Sequence, residues 1–97
     1  MVRDSEQLKP VMLLHNDFLM DDKSARYDAD VRVLTYWMPT TYYGSQRVSV
    51  HFMNGYPKMV VVIYGGTDIR SSAIKTVGQL RMALALAGLE EVKIVNP

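Results

Sequence analysis

Carboxylate clusters are the most direct sequence signal for chemistry, because they bind metal ions and act as general acids and bases. Five aspartates lie between Asp17 and Asp30, within the stretch NDFLMDDKSARYDAD. Their spacing lacks the glycine and the terminal glutamate that a calcium-binding EF-hand loop requires. We therefore interpret the stretch as a solvated acidic segment and predict no metal site.

Two other patterns resemble fragments of catalytic sites. Glu91-Val92-Lys93 matches the E-x-K element of some nucleases, but the sequence has no aspartate-bearing strand just upstream. Ser49 and His51 are two apart on a predicted strand, and such neighbours lie about 6–7 Å apart, too far for proton transfer. Neither pattern predicts catalysis.

Cofactor and nucleophile signals are also incomplete. The GGT of residues 65–67 lacks the spacing of a phosphate-binding G-x-x-x-x-G-K-[ST] loop and is interpreted as a turn. The sequence contains no cysteine, which excludes disulfides, a thiol nucleophile, thiolate zinc sites and iron–sulfur clusters. We predict that the protein is not an enzyme and needs no cofactor.

Aromatic residues gather in one stretch, YWMPTTYYGSQR, from Tyr36 to Arg47, which holds four of the nine aromatics among proline, glycine and threonine. One explanation is structural, with Trp37, Tyr42 and Tyr43 closing the edge of a sheet. The other is a binding platform with Arg47, because Trp, Tyr and Arg dominate protein-binding hot spots. A third class of function, single-stranded nucleic-acid binding, also uses aromatics on a sheet beside basic residues.

Strands must position this platform. RVSVHFM, residues 47–53, alternates apolar and polar side chains and predicts a half-buried strand. Asn54-Gly55 then predicts a tight hairpin, and the apolar run Met59 to Tyr64 predicts a strand in the sheet interior. Upstream, DVRVLTYWM predicts a strand that ends at Pro39, with Trp37 and Tyr36 on opposite faces.

A helix is predicted over TVGQLRMALALAGL. Thr76 and Gln79 form a capping box at its start, and Gly88 suits the position just after its end. The 100° rotation per residue places Met82 and Leu86 nearly opposite the predicted core face. That core face consists of Val77, Leu80, Ala83, Leu84 and Ala87.

The two ends of the chain are harder to assign. EEVKIVN alternates Val92 and Ile94 with charged residues and predicts a last strand. The segment from Pro10 is compatible with a helix or with a strand over Val11 to His15, and both readings stay open. The predicted fold class is α+β, in one domain spanning residues 1–97: a small, mainly antiparallel sheet of three to five strands with a C-terminal helix packed on one face.

Composition and charge limit the function. The chain is 48% hydrophobic and 22% charged, as in globular proteins. The longest apolar stretch near the N-terminus, PVMLLHNDFLM, is interrupted by His15, Asn16 and Asp17, so we expect no membrane span, and no signal peptide is evident. Residues 31–89 contain six basic residues and one acidic residue, a local net charge of +5. The net charge of the whole chain is only +1. We expect a cytoplasmic protein with only a mild basic bias.

These features favour a small protein-binding module that modulates a larger assembly, with inhibition as one form of that role. Seven methionines among 97 residues suit an adaptable apolar contact surface. The alternative is a single-stranded nucleic-acid-binding protein, and a homo-oligomer is compatible with both. The predicted binding residues are Trp37, Tyr42, Tyr43, Arg47, Met82 and Leu86.

Overall fold

The computed structural model describes residues 3–20, 31–38, 46–64, 67–89, 92 and 94. In chain order its elements are α1 (Pro10–His15), β1 (Leu19–Met20), β2 (Val31–Trp37), β3 (Arg47–Met53), β4 (Tyr56–Tyr64), β5 (Thr67–Ser71) and α2 (Val77–Leu86). The five strands form one antiparallel sheet in which each strand pairs with the next along the chain. The predicted α+β class is confirmed.

Both helices pack on one face of this sheet, here called the first face. Alternation along β2, β3 and β4 directs apolar side chains to this face. They form one buried cluster with Leu13 of α1 and with residues of α2. The sheet contributes Leu34, Val48, Val50, Phe52, Val60 and Val62, and α2 contributes Val77, Leu80 and Leu84.

The predicted β3–β4 hairpin is confirmed. Asn54 and Gly55 have φ angles of 52° and 82°, the positive values that a tight hairpin turn requires. The register shifts by one residue beside the turn, since His51 pairs with Met59 and Phe52 with Pro57. The extra residue is Lys58 in β4, and Phe52 is buried in the core.

Helix α2 has both of its predicted ends. The Thr76 hydroxyl accepts a hydrogen bond from the Gln79 N–H at 3.3 Å, and the Gln79 side chain accepts one from the Thr76 N–H at 3.0 Å. At the other end Gly88 has φ 78°. The N–H of buried Leu89 donates to the Leu84 carbonyl at 2.9 Å, as in a Schellman cap.

The N-terminal residues lie against the start of α2. The N–H groups of Val77 and Gly78 donate to the carbonyls of Glu6 and Asp4, both at 2.9 Å. A Cβ atom added to Gly78 would lie 2.7 Å from the Asp4 Cβ, so the close approach requires glycine. These bonds satisfy backbone donors that a helix leaves unpaired at its start.

Three parts of the chain differ from expectation or decide an open point. The predicted last strand is wrong at its two described residues: Val92 and Ile94 are buried in the core but are not in a strand. Their alternation reflects packing of both side chains against the core. The sheet instead ends with β5, which was not predicted. The segment from Pro10 is the helix α1, so the strand reading of Val11 to His15 is wrong.

Candidate functional site

The face of the sheet opposite the two helices, here called the second face, carries the candidate site. By strand alternation and register, its members are Leu19, Val31, Val33, Thr35, Trp37, Arg47, Ser49, His51, Met53, Met59, Val61, Ile63, Asp68 and Arg70. Most are apolar, although neither described helix packs against them. The large side chains of Leu19 and Trp37 are 63% and 52% exposed.

Trp37 and Arg47, ten residues apart in the chain, meet at one end of this face. They are direct partners in the β2–β3 register. The Arg47 guanidinium carbon lies 5.5 Å from the centre of the Trp37 ring, within the range of a cation–π contact. The contact fixes an exposed aromatic ring beside a cationic group.

Apolar neighbours extend this contact across the sheet. Ile63 pairs with Arg47 on the β4 side. Leu19 pairs with Thr35 on the β1 side, which places it diagonally beside Trp37, within reach of a large side chain. We call Leu19, Trp37, Arg47 and Ile63 the Trp37 patch.

A buried polar pair lies next to the patch. The hydroxyls of Thr35 and Ser49 are 3.0 Å apart and hydrogen-bonded, and both residues are buried. In the same row across the sheet, Val61 is also buried. Because the hydroxyls satisfy each other, the second face buries polar groups without leaving them unpaired.

The charges of this face nearly balance at its β5 edge. Arg70 and Asp68 form an ion pair at 3.5 Å, with side chains 66% and 49% exposed. Asp68 pairs with Ile63 in the register and therefore lies in the same row as Trp37 and Arg47. The basic bias of the sequence is thus locally offset where the exposed aromatic ring lies.

Met82 and Leu86 lie elsewhere. They are 67% and 84% exposed on the outer side of α2, as their spacing predicted, and the described N-terminal residues, from Arg3 onward, leave them exposed. Since α2 packs on the first face, this stripe and the Trp37 patch are on opposite sides of the sheet. The predicted binding residues therefore do not form a single surface.

The other aromatics of the stretch have separate positions. Tyr36 points to the first face, where its ring centre lies 5.5 Å from that of buried Phe18. It is part of the core packing and not of the platform. Tyr42 and Tyr43 lie outside the described residues, as do residues 21–30 of the acidic segment.

Among the residues described, no three His, Cys, Asp or Glu side chains come close enough together to hold a metal ion. Within the same part of the chain, no helix is long and apolar enough to cross a membrane. No protein-family model, curated protein or solved structure matches this chain. The geometry of the surface is therefore the basis for a functional proposal.

Sequence reasoning missed two members of the patch. Ile63 was assigned to an interior strand without a face, although counting alternate residues from the hairpin would have placed it beside Arg47. Leu19 belongs to a strand of only two residues, which is too short for a periodic pattern. Only the tertiary structure places Leu19 beside the aromatic ring.

Proposed function

We propose that this protein is a non-enzymatic module that binds another protein through the Trp37 patch. By occupying a surface of that partner it modulates, as an inhibitor in the simplest case, a larger assembly in the cytoplasm. The observation that carries the proposal is the half-exposed Trp37 ring with the Arg47 guanidinium over it.

The chemistry of the patch favours a protein partner. Trp and Arg are the residue types most enriched in binding hot spots, because they bring large, rigid contact area with a polar group. Aliphatic Leu19 and Ile63 border the pair and would exclude water from it in a complex. Strand pairing fixes the backbone of Arg47 on both sides and that of Trp37 on the β3 side, which lowers the entropy lost on binding.

Single-stranded nucleic acid is the weaker candidate for this surface. Bases stack on aromatic rings, and phosphates need several cations along a groove. The apolar members of the second face are mostly Val, Ile and Met, and Asp68 shares the row of Trp37 and Arg47. A carboxylate in that row opposes the approach of a phosphate.

The test compares the protein and its variants as baits in nuclease-treated cell extract, with a short-range cross-linker and quantitative mass spectrometry. Trp37→Ala and Arg47→Ala should each lose the proteins that the wild type captures. Tyr56→Ala is the matched control, since Tyr56 is 62% exposed at the β3–β4 hairpin, outside the patch. Equal capture by all four proteins would reject the patch as the binding surface.

A second arm separates the two ligand classes. We expect no binding of a fluorescent single-stranded oligonucleotide at physiological salt. Micromolar or tighter binding that is lost in the Tyr42→Ala/Arg47→Ala double variant, and that falls steeply as salt rises, would replace the protein-binding proposal with the alternative.

A further inference from the structure

The outer edge of β5 carries a second interaction surface, separate from the Trp37 patch. β5 lies at the end of the sheet, and among the described strands only β4 pairs with it. Ile69 points to the first face opposite Val62, yet it is 43% exposed. An edge strand with unpaired backbone groups is a template for another strand.

The sequence of β5, Thr-Asp-Ile-Arg-Ser, is complementary to itself in the antiparallel sense. A two-fold axis through Ile69 would bring Asp68 of each copy opposite Arg70 of the other. It would also bring Thr67 opposite Ser71 and the two Ile69 residues opposite each other. Opposite charges in direct cross-strand pairs are stabilising, and like charges there are destabilising.

The hydrogen-bonding pattern allows the same register. Alternate residues of an antiparallel strand direct their N–H and C=O groups to opposite sides. Tyr64 and Thr67 close the β4–β5 hairpin, and the closing pair of a two-residue connection is hydrogen-bonded. Ile69 therefore bonds to β4, whereas Asp68 and Arg70 direct their backbone groups outward, where the second copy would meet them.

We propose that two copies of this protein associate through antiparallel β5–β5 pairing centred on Ile69, forming one continuous sheet. Within one chain, Asp68 and Arg70 form an ion pair at 3.5 Å. In the dimer, each of these two side chains would also lie opposite its counterpart of unlike charge in the other copy. The exposed Ile69 side chains would cover each other. A five-residue strand buries less than the roughly 1,000 Å² of a stable interface, so the dimer is weak and reversible.

Charge reversal tests the register. Arg70→Asp and Asp68→Arg each place like charges opposite one another, and each should raise the dimer dissociation constant roughly 10- to 50-fold in sedimentation velocity. The double variant Asp68→Arg/Arg70→Asp restores the complementarity and should dimerise like the wild type. An equimolar mixture of the two single variants should form a heterodimer. Lys58→Asp, which changes the net charge as Arg70→Asp does at an exposed site outside β5, should leave dimerisation unchanged.

Cross-linking tests the axis without altering charge. The native chain has no cysteine, so Ile69→Cys introduces a unique thiol at the proposed two-fold axis. Directly opposed cysteines meet the distance requirement of a disulfide, and mild oxidation should yield a covalent dimer. Ser72→Cys, exposed just beyond β5, should not be cross-linked, because the two copies of residue 72 would lie about 20 Å apart at the rise of a strand. The proposal would be overturned if the protein remained monomeric at millimolar concentration. It would also be overturned if the charge reversals left the dimer dissociation constant unchanged.

Discussion

Val60 and Val61 are neighbours in β4, yet they face opposite sides of the sheet and different surroundings. Val60 points to the first face, where the two helices complete a core. Val61 points to the second face, in a row with the Thr35–Ser49 hydroxyl pair and Arg70. Both are buried, at 1% and 8% exposure, but only Val60 belongs to the core cluster.

The comparison of the two faces separates residues that folding needs from residues that it does not. Among the side chains that the structure describes, the large apolar residues of β2, β3 and β4 on the first face belong to the core cluster or pack against it. On the second face Trp37 remains half exposed at the end of its strand. Folding requires the apolar packing of the first face but gains little from the half-exposed Trp37 ring. The exposure of this ring is therefore better explained by binding than by folding.

The largest expected effect separates the two valines. Val60→Asp would bury an unpaired carboxylate in the core and should cost at least about 4 kcal/mol of the free energy of unfolding. Val61→Asp would place its carboxylate opposite Arg70 and should cost about 1–3 kcal/mol. Urea unfolding followed by circular dichroism measures both. Equal costs would mean that the two faces are equally dependent on apolar packing.

A second matched pair lies in α2. Leu84 is 2% exposed and Leu86 is 84% exposed. Leu84→Ala leaves a cavity and should cost about 2–5 kcal/mol, whereas Leu86→Ala should change stability by less than about 0.5 kcal/mol. Thermal unfolding of the two variants would resolve the difference. A large loss in Leu86→Ala would show that the exposed stripe contributes to the fold.

The β3–β4 hairpin and the start of α2 could be predicted because their signals are local in the sequence. The hairpin at Asn54-Gly55 and the capping box of Thr76 and Gln79 depend on residues close together in the chain, so their types alone specify them. The exposure of Leu86 follows from helix periodicity.

Strand β5 could not be recognised by periodicity, because Ile69 is its only large aliphatic residue and an edge strand needs little burial. The Gly-Gly pair between two extended runs was a hairpin signal that would have found it. At the other end, Val92 and Ile94 alternate like a strand but pack into the core without joining the sheet. Alternation reports which side chains are buried and does not report whether the backbone is paired.

An intermediate effect concerns the polar pair of the second face. Thr35→Val and Ser49→Ala each leave one buried hydroxyl without its partner and should each cost about 1–2 kcal/mol. The double variant should cost less than the sum, because it removes both polar groups. A double-mutant cycle by chemical denaturation provides the coupling. Strict additivity would show that the 3.0 Å contact contributes nothing to stability.

A small effect on stability is expected for Trp37, the residue with the largest proposed effect on binding. Trp37→Ala removes a half-exposed ring and should cost about 1 kcal/mol or less. Tyr36→Ala, one residue earlier, removes a ring that contacts Phe18 on the first face and should cost about 3 kcal/mol. Differential scanning calorimetry measures the unfolding temperature of both variants. A lower unfolding temperature for Trp37→Ala than for Tyr36→Ala would contradict the assignment of the two rings to their faces.

The most direct measurement of the central claim follows Trp37 itself, which is the only tryptophan in the chain. Fluorotryptophan at this position gives a single fluorine resonance that reports on the exposed ring. Adding a captured partner should shift and broaden the resonance and protect the ring from a soluble quencher. The same addition to Arg47→Ala should have a smaller effect. A partner that binds with unchanged affinity while the resonance stays at its free position would contradict the claim that the Trp37 patch is the binding surface.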